Sequence, residues 1–157
     1  MKTASEIICF QEVPDEVSLS FAISNCPFKC KGCHSPWLQT DCGQELENVF
    51  LPLLNKYQGL ISCVLFMGGD DKKQILELTK YLTICKEKGL KTALYSGFND
   101  LSHLFDILPL LDYIKIGQYI EQYGGLKSKT TNQVMYKNEN GELKEITYKF
   151  WTSAIDK

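Results

Sequence analysis

Apolar and small polar residues alternate from Val17 to Ser24, a period of two that predicts a strand with one buried face. Glu6 to Gln11 reads as a second strand. Val13-Pro14-Asp15-Glu16 between them carries the proline of a turn, so together they predict an N-terminal hairpin. From Gln44 to Lys56 the spacing becomes helical, with Leu46, Val49, Phe50, Leu53 and Leu54 recurring and Pro52 predicting a kink or early break. Leu60 to Met67 is a nearly continuous apolar run, the pattern of a parallel strand buried on both faces. Asp71 and Gln74 have capping-box spacing ahead of a helix from Lys72 to Lys88, with Gly89 as its stop. Lys91 to Tyr95 predicts a further strand, Leu101 to Leu108 a short helix ending before Pro109, and Tyr113 to Ile116 another strand. Strand, glycine-bearing turn, helix and strand recur here as in parallel crossover units. Beyond them, Val134 to Tyr136 and Leu143 to Tyr148 flank Asn138-Glu139-Asn140-Gly141, whose Asn-Gly step favours a C-terminal hairpin.

No linker, repeat or low-complexity tract interrupts this order, and 157 residues suit one domain, spanning 1–157. With 44% hydrophobic and 23% charged residues, disorder is excluded for most of the chain. A net charge of -2 offers no field to attract phosphate, so nucleic acid is not an expected partner. All seventeen basic residues are lysines, so an anion must be met by point charges or backbone N–H groups rather than by a guanidinium fork. No run of about 18 apolar residues is present to span a bilayer, and Met1 to Phe10 lacks the order of a secretory signal. A cytoplasmic protein without a membrane partner is expected.

Seven cysteines, odd in number and irregular in spacing, do not suit a disulfide framework. Cys9, Cys42, Cys63 and Cys85 are scattered; Cys9, Cys63 and Cys85 fall in or beside apolar stretches and are expected to pack as small hydrophobes. Cys26, Cys30 and Cys33 differ, because they share the loop from Asn25 to His34, which has proline, glycine and lysine and no apolar period. Three thiolates there can converge on one inorganic centre. Structural zinc wants four ligands, usually from paired C-x2-C knuckles, and here the fourth could come from His34 or Cys42. A 4Fe-4S cubane is usually held by four cysteine thiolates; with three, one iron stays open to a substrate or cofactor.

In parallel α/β architectures ligands bind at the carboxyl ends of strands. Those ends carry the cysteine loop, Gly68-Gly69-Asp70, Ser96-Gly97 and Gly117. The two glycines permit a ligand to approach the backbone closely. Asp70 could accept hydrogen bonds from an ammonium group, or simply cap a helix. Lys115 could meet a carboxylate, or simply be solvated. An amino acid moiety would satisfy both.

The C-x3-C-x2-C loop formed by Cys26, Cys30 and Cys33 resembles that of the radical S-adenosylmethionine superfamily, and Gly68-Gly69-Asp70 resembles the Gly-Gly-Glu motif that binds the methionine amino group. More narrowly, the chain is similar from end to end to the glycyl-radical activating proteins of anaerobic ribonucleoside-triphosphate reductase. The stretches that carry this are Phe10-Gln11-Glu12-Val13-Pro14, residues 26 to 36, Asp112 to Gly117 and Thr131-Asn132-Gln133. Gly32 stands where many members have an aromatic residue, and Asp70 is one methylene shorter than the commoner glutamate. The resemblance implies a 4Fe-4S cluster on Cys26, Cys30 and Cys33, with S-adenosylmethionine on its open iron. It implies Gly32, Cys33 and His34 beside the cofactor, Gly68, Gly69 and Asp70 on its amino group, Ser96 and Gly97 near the methionine or ribose, and Lys115 near its carboxylate. No side chain need act as acid or base. The protein substrate would be the large reductase subunit, and the electron donor flavodoxin or a similar low-potential protein. A small radical enzyme acting on a metabolite, such as a deazaguanine-forming synthase, and a noncatalytic zinc module are the competing functions. A closed eight-unit barrel needs about 250 residues. The expected fold is therefore an incomplete, laterally open TIM-like barrel of four to five βα units with a hairpin at each end.

Overall fold

The structure is a computed structural model and describes residues 1–151. Strands β1 (Lys2–Cys9), β2 (Ser18–Ile23), β3 (Gln44–Glu45), β4 (Cys63–Met67), β5 (Lys91–Tyr95), β6 (Tyr113–Ile116), β7 (Val134–Glu139) and β8 (Glu142–Glu145) form one open sheet. Its order is β3-β1-β2-β4-β5-β6-β7-β8. The central four, β2, β4, β5 and β6, are parallel, while β1 and β7 join them antiparallel. Both hairpins are present, and Asn140 and Gly141 at positive φ make the turn that the Asn-Gly step predicts.

Two α-helices, α1 (Leu46–Lys56) and α2 (Ile75–Glu87), cover one face of this sheet. Leu46, Phe50 and Leu54 of α1 and Leu78, Leu82 and Cys85 of α2 pack there against Phe21, Phe66 and Leu94. Successive strand residues point to opposite faces, and the opposite face is buried as well: Cys63, Leu65, Ala93, Tyr113 and Met135 lie under Val13, Leu126 and Ile146. Double burial accounts for the unbroken apolar run that marks β4. Among the described residues no helix is long and apolar enough to cross a membrane.

Several boundaries differ from expectation. The four parallel strands are joined by three crossovers and only two of these contain an α-helix, so there are fewer βα units than expected. Leu101 to Leu108 is not a helix but part of two single 3-10 turns, Ser102–Leu104 and Leu108–Leu110. Pro109 disfavours the helical region for the residue before it, and so short a segment cannot sustain an α-helix. α1 runs through Pro52 to Lys56 without the early break, because its buried face holds it to the sheet. Gln44 and Glu45 leave the expected helix and pair with Lys2 and Thr3 of β1. α2 starts at Ile75 rather than Lys72, and the strand expected to reach Tyr148 stops at Glu145 before a 3-10 turn.

The amino-terminal ends of the parallel strands are tied together by one buried carboxylate. Glu16 accepts hydrogen bonds from Ser62 Oγ (2.5 Å), Lys91 Nζ (2.6 Å) and Tyr113 OH (2.9 Å). Burial pushes its pKa up, but the bonds from Lys91, Ser62 and Tyr113 outweigh that and hold it below the ordinary value. A carboxyl depressed in the folded state contributes stability that is complete above its unfolded pKa and is lost as pH falls through the folded one. Glu16→Gln is therefore expected to cost about 2 kcal/mol at pH 7 and progressively less in acid. Urea unfolding of both proteins from pH 7 down to pH 3 checks this; a difference that does not shrink in acid contradicts it.

Candidate functional site

The opposite, carboxyl ends of the parallel strands carry the residues singled out by sequence. β4 ends in Gly68 and Gly69, both at positive φ (93° and 94°), a conformation that L side chains resist. They turn the chain so that Asp70 is buried, at 4% exposure, rather than placed on the helix. Asp70 does not cap α2. Asp71 serves that turn instead: its carboxylate accepts from Lys73 N (2.9 Å) and from the Gln74 side-chain amide (2.8 Å). Asp70 Oδ2 accepts the Ser96 hydroxyl at 2.6 Å and lies 2.7 Å from His103 Nε2. The Gly-Gly-Asp turn after β4 and the Ser-Gly turn after β5 thus meet directly.

Lys115, near the end of β6, is 8% exposed and so is not a solvated lysine. Its Nζ donates to Gly117 O (3.1 Å) and stands 5.5 Å from the centre of the Tyr95 ring. Burial pushes its pKa down to about 8, against an opposing pull from the negative charge of Asp70, Cys30 and Cys26. An anion-seeking group and a cation-seeking group therefore lie within electrostatic reach of each other and of the cysteine loop.

The loop itself is tied at both ends. Asn25 N donates to Thr40 O (3.2 Å) and Cys26 N to Leu38 O (2.8 Å), while Cys33 N closes a turn onto Cys30 O (3.2 Å). Phe28 anchors its middle, meeting Phe98 edge-on at 5.0 Å between ring centres. A Cβ on Gly97 would lie 2.5 Å from the Phe28 ring, so only glycine lets the loop settle there. Gly97→Ala is expected to lift Phe28, cost about 1–3 kcal/mol and loosen the cysteine loop. Thermal melts and iron retention after reconstitution check this; an unchanged loop would leave both as in wild type.

The three thiols share the loop but do not close on a point: among the described residues no group of three His, Cys, Asp or Glu side chains is arranged to hold a metal ion. Cys26 Sγ faces Phe28 O (3.9 Å) and Cys33 Sγ accepts from Ser35 N (3.4 Å). Burial raises the Cys26 pKa, opposed in part by its hydrogen bond with the Phe28 backbone. His34 rests on Tyr119 (5.4 Å between rings), and Cys42 Sγ donates to Trp37 O (3.4 Å), which leaves neither as a fourth ligand in this arrangement. Gly32, at positive φ, lies against Glu121 rather than at the Asp70–Lys115 centre. Ligands of one zinc ion must meet at a single point. In a cubane each thiolate holds a different iron, so the three thiols need not meet at one point, and three cysteines in one short loop fit that group by their donor set.

Of the other cysteines, Cys63 and Cys85 are fully buried, and burial pushes both thiols up to about 12. Cys9 is half-buried, so core packing describes two of the three expected to show it, and Cys42 sits half-buried in a loop. All seven are free thiols. Sequence reasoning missed His103, Phe28 and Phe98. His103 stacks on Phe98 at 4.0 Å and completes the surroundings of Asp70. No protein-family model, curated protein or solved structure matches the chain.

Proposed function

We propose that the protein is a radical S-adenosylmethionine enzyme that activates the large subunit of an anaerobic ribonucleoside-triphosphate reductase, in the cytoplasm. The observation that carries this reading is the convergence at the strand ends. A buried Asp70 held by Ser96 and a buried Lys115 lie within electrostatic reach of Cys26 and Cys30. Burying an ammonium and a carboxylate without pairing them closely is costly, and such cost is common where a ligand supplies the missing partners. The methionine end of S-adenosylmethionine offers both: its amino group to Asp70 and its carboxylate to Lys115. Cys26, Cys30 and Cys33 would hold the cluster. Such a cluster, reduced by a flavodoxin-type donor, would supply the one electron needed to cleave the sulfonium to methionine and a 5'-deoxyadenosyl radical able to take hydrogen from a glycine Cα of the reductase.

What the chain contributes is placement. Gly68 and Gly69 leave backbone open to the ligand, Gly97 admits Phe28 and so seats the cysteine loop, and Ser96 orients Asp70. The open sheet, with four parallel strands and the site at their carboxyl ends, supports the finer reading as an incomplete, laterally open barrel. Exposed Ile7, Phe10 and Trp37 line a groove of about 450 Å³ that also reaches Ser35 and Met67, beside the cysteine loop and the Gly-Gly turn. Apolar side chains exposed next to a site favour a protein substrate over a small metabolite.

The test incubates the reconstituted protein with S-adenosylmethionine, a flavodoxin-type reductant and the reductase subunit, and reads electron paramagnetic resonance. A glycyl-radical doublet is expected. Competent cleavage of S-adenosylmethionine with no such doublet points instead to a metabolite substrate.

A further inference from the structure

One oxygen of Asp70 carries all of the hydrogen bonds that its side chain makes. Oδ2 accepts the Ser96 hydroxyl (2.6 Å) and sits 2.7 Å from His103 Nε2, while Oδ1 has no hydrogen-bond partner among the described residues. The Ser96 oxygen also accepts Phe98 N–H (3.1 Å), which leaves its own proton for Asp70. An ionised carboxylate only accepts, so His103 Nε2 must be the protonated nitrogen. Nδ1 is buried with no hydrogen-bond partner among the described residues. A proton there would be a buried donor with no acceptor, so Nε2–H directed at Asp70 is the tautomer these contacts assign.

The local chain is built to deliver that ring. Asp100 accepts from Ser102 N (2.8 Å) and tightens the turn that carries His103, and Phe98 supports the imidazole at 4.0 Å. We infer that His103 is a positioning residue. With Ser96 it saturates Oδ2 of Asp70, so that Oδ1 is the oxygen left to accept an N–H from the amino group of a bound ligand. The identity of that ligand as S-adenosylmethionine rests on the function proposed above; the pairing of His103 with Asp70 rests on geometry alone.

Two measurements separate these parts. Nitrogen NMR of the imidazoles, on the protein before any cluster is loaded, should show His103 as the Nε2–H tautomer in wild type and as a tautomer mixture in Asp70→Asn. An Nδ1–H tautomer in wild type, or no change in Asp70→Asn, overturns the pairing. Calorimetric titration of the reconstituted, unreduced protein with S-adenosylmethionine reads binding without turnover. His103→Ala should weaken binding about tenfold, the loss expected of one charge-assisted hydrogen bond. His103→Gln, whose amide can donate in place of Nε2–H, should recover most of it, with iron content and melting temperature matching wild type in both variants. Wild-type affinity in His103→Ala overturns the inference, as does loss in both variants that tracks lost iron. A wild-type protein that binds no S-adenosylmethionine overturns the proposed function and the amino-group ligand together, while the NMR result still decides the pairing.

Discussion

Lys115→Met is expected to make the protein more stable at neutral pH and to weaken its binding of S-adenosylmethionine by about 10- to 100-fold. The two effects have one cause. Lys115 is 8% exposed, and burial pushes its pKa down to about 8 from an ordinary value of 10.5. Between those values the unfolded chain binds more protons than the folded one, so stability rises with pH across that window. Below it, the folded protein carries a buried ammonium at a cost on the order of 3 kcal/mol. Methionine fills similar space without the charge. Gly117 O, which loses the lysine, keeps the Gln133 side-chain amide at 3.3 Å. The lost attraction to Asp70 reduces the gain, so about 1–3 kcal/mol is expected at pH 7, declining as the pH climbs from about 8 towards 10.5. Wild-type affinity for the ligand should also fall as pH rises past about 8. Urea unfolding at pH 7 and pH 10, with calorimetric titration at each, checks both parts. A variant that is less stable at pH 7, or whose difference does not depend on pH, contradicts the assignment of Lys115 as a destabilised ligand-binding group.

Alanine at Cys26, Cys30 or Cys33 is expected to abolish iron binding, whereas alanine at Cys42, Cys63 or Cys85 should leave it intact. A cluster held by two thiolates instead of three would leave a second iron without a protein ligand. The controls are physically distinct from the trio. Cys63 and Cys85 are fully buried thiols held up near 12, far from the thiolate form that a metal requires, so their loss costs packing of about 1–2 kcal/mol and no chemistry. Cys42 donates to Trp37 O in a loop tied by the Lys2–Asp41 pair (3.1 Å). Iron and sulfide per chain after anaerobic reconstitution give the answer. Lost iron in Cys42→Ala would restore a four-ligand site.

The parts of this molecule that were legible in sequence are those whose signal is local. A continuous apolar run can be buried on both faces only in a central strand, so β4 is plain. Asn140-Gly141 could only turn, and the cysteine loop stands out by lacking any period. What sequence left open for Asp70 and Lys115 depended on contacts distant in the chain. Asp70 and Asp71 are adjacent and chemically alike, and the two positive-φ glycines before them set which one closes the turn ahead of α2 and which is buried. Lys115 looks solvated until β7 pairs beside it and the Leu126–Tyr113 cluster covers that part of the sheet. His103 meets Asp70 across 33 residues with no shared period, and the only trace of it in sequence is the Asp100-to-Ser102 turn that precedes it. β3 is two residues long and exists only because β1 passes beside it.

We propose a single site for an iron-sulfur cluster and S-adenosylmethionine, made by one loop and three strand ends. It is tested most directly by anaerobic reconstitution with iron and sulfide, dithionite reduction, and electron paramagnetic resonance with and without S-adenosylmethionine. The account predicts a reduced 4Fe-4S signal that changes shape when S-adenosylmethionine is added and no longer changes in a protein carrying both Asp70→Asn and Lys115→Met. Tight zinc with no cluster signal, or a cluster signal indifferent to S-adenosylmethionine, would contradict it.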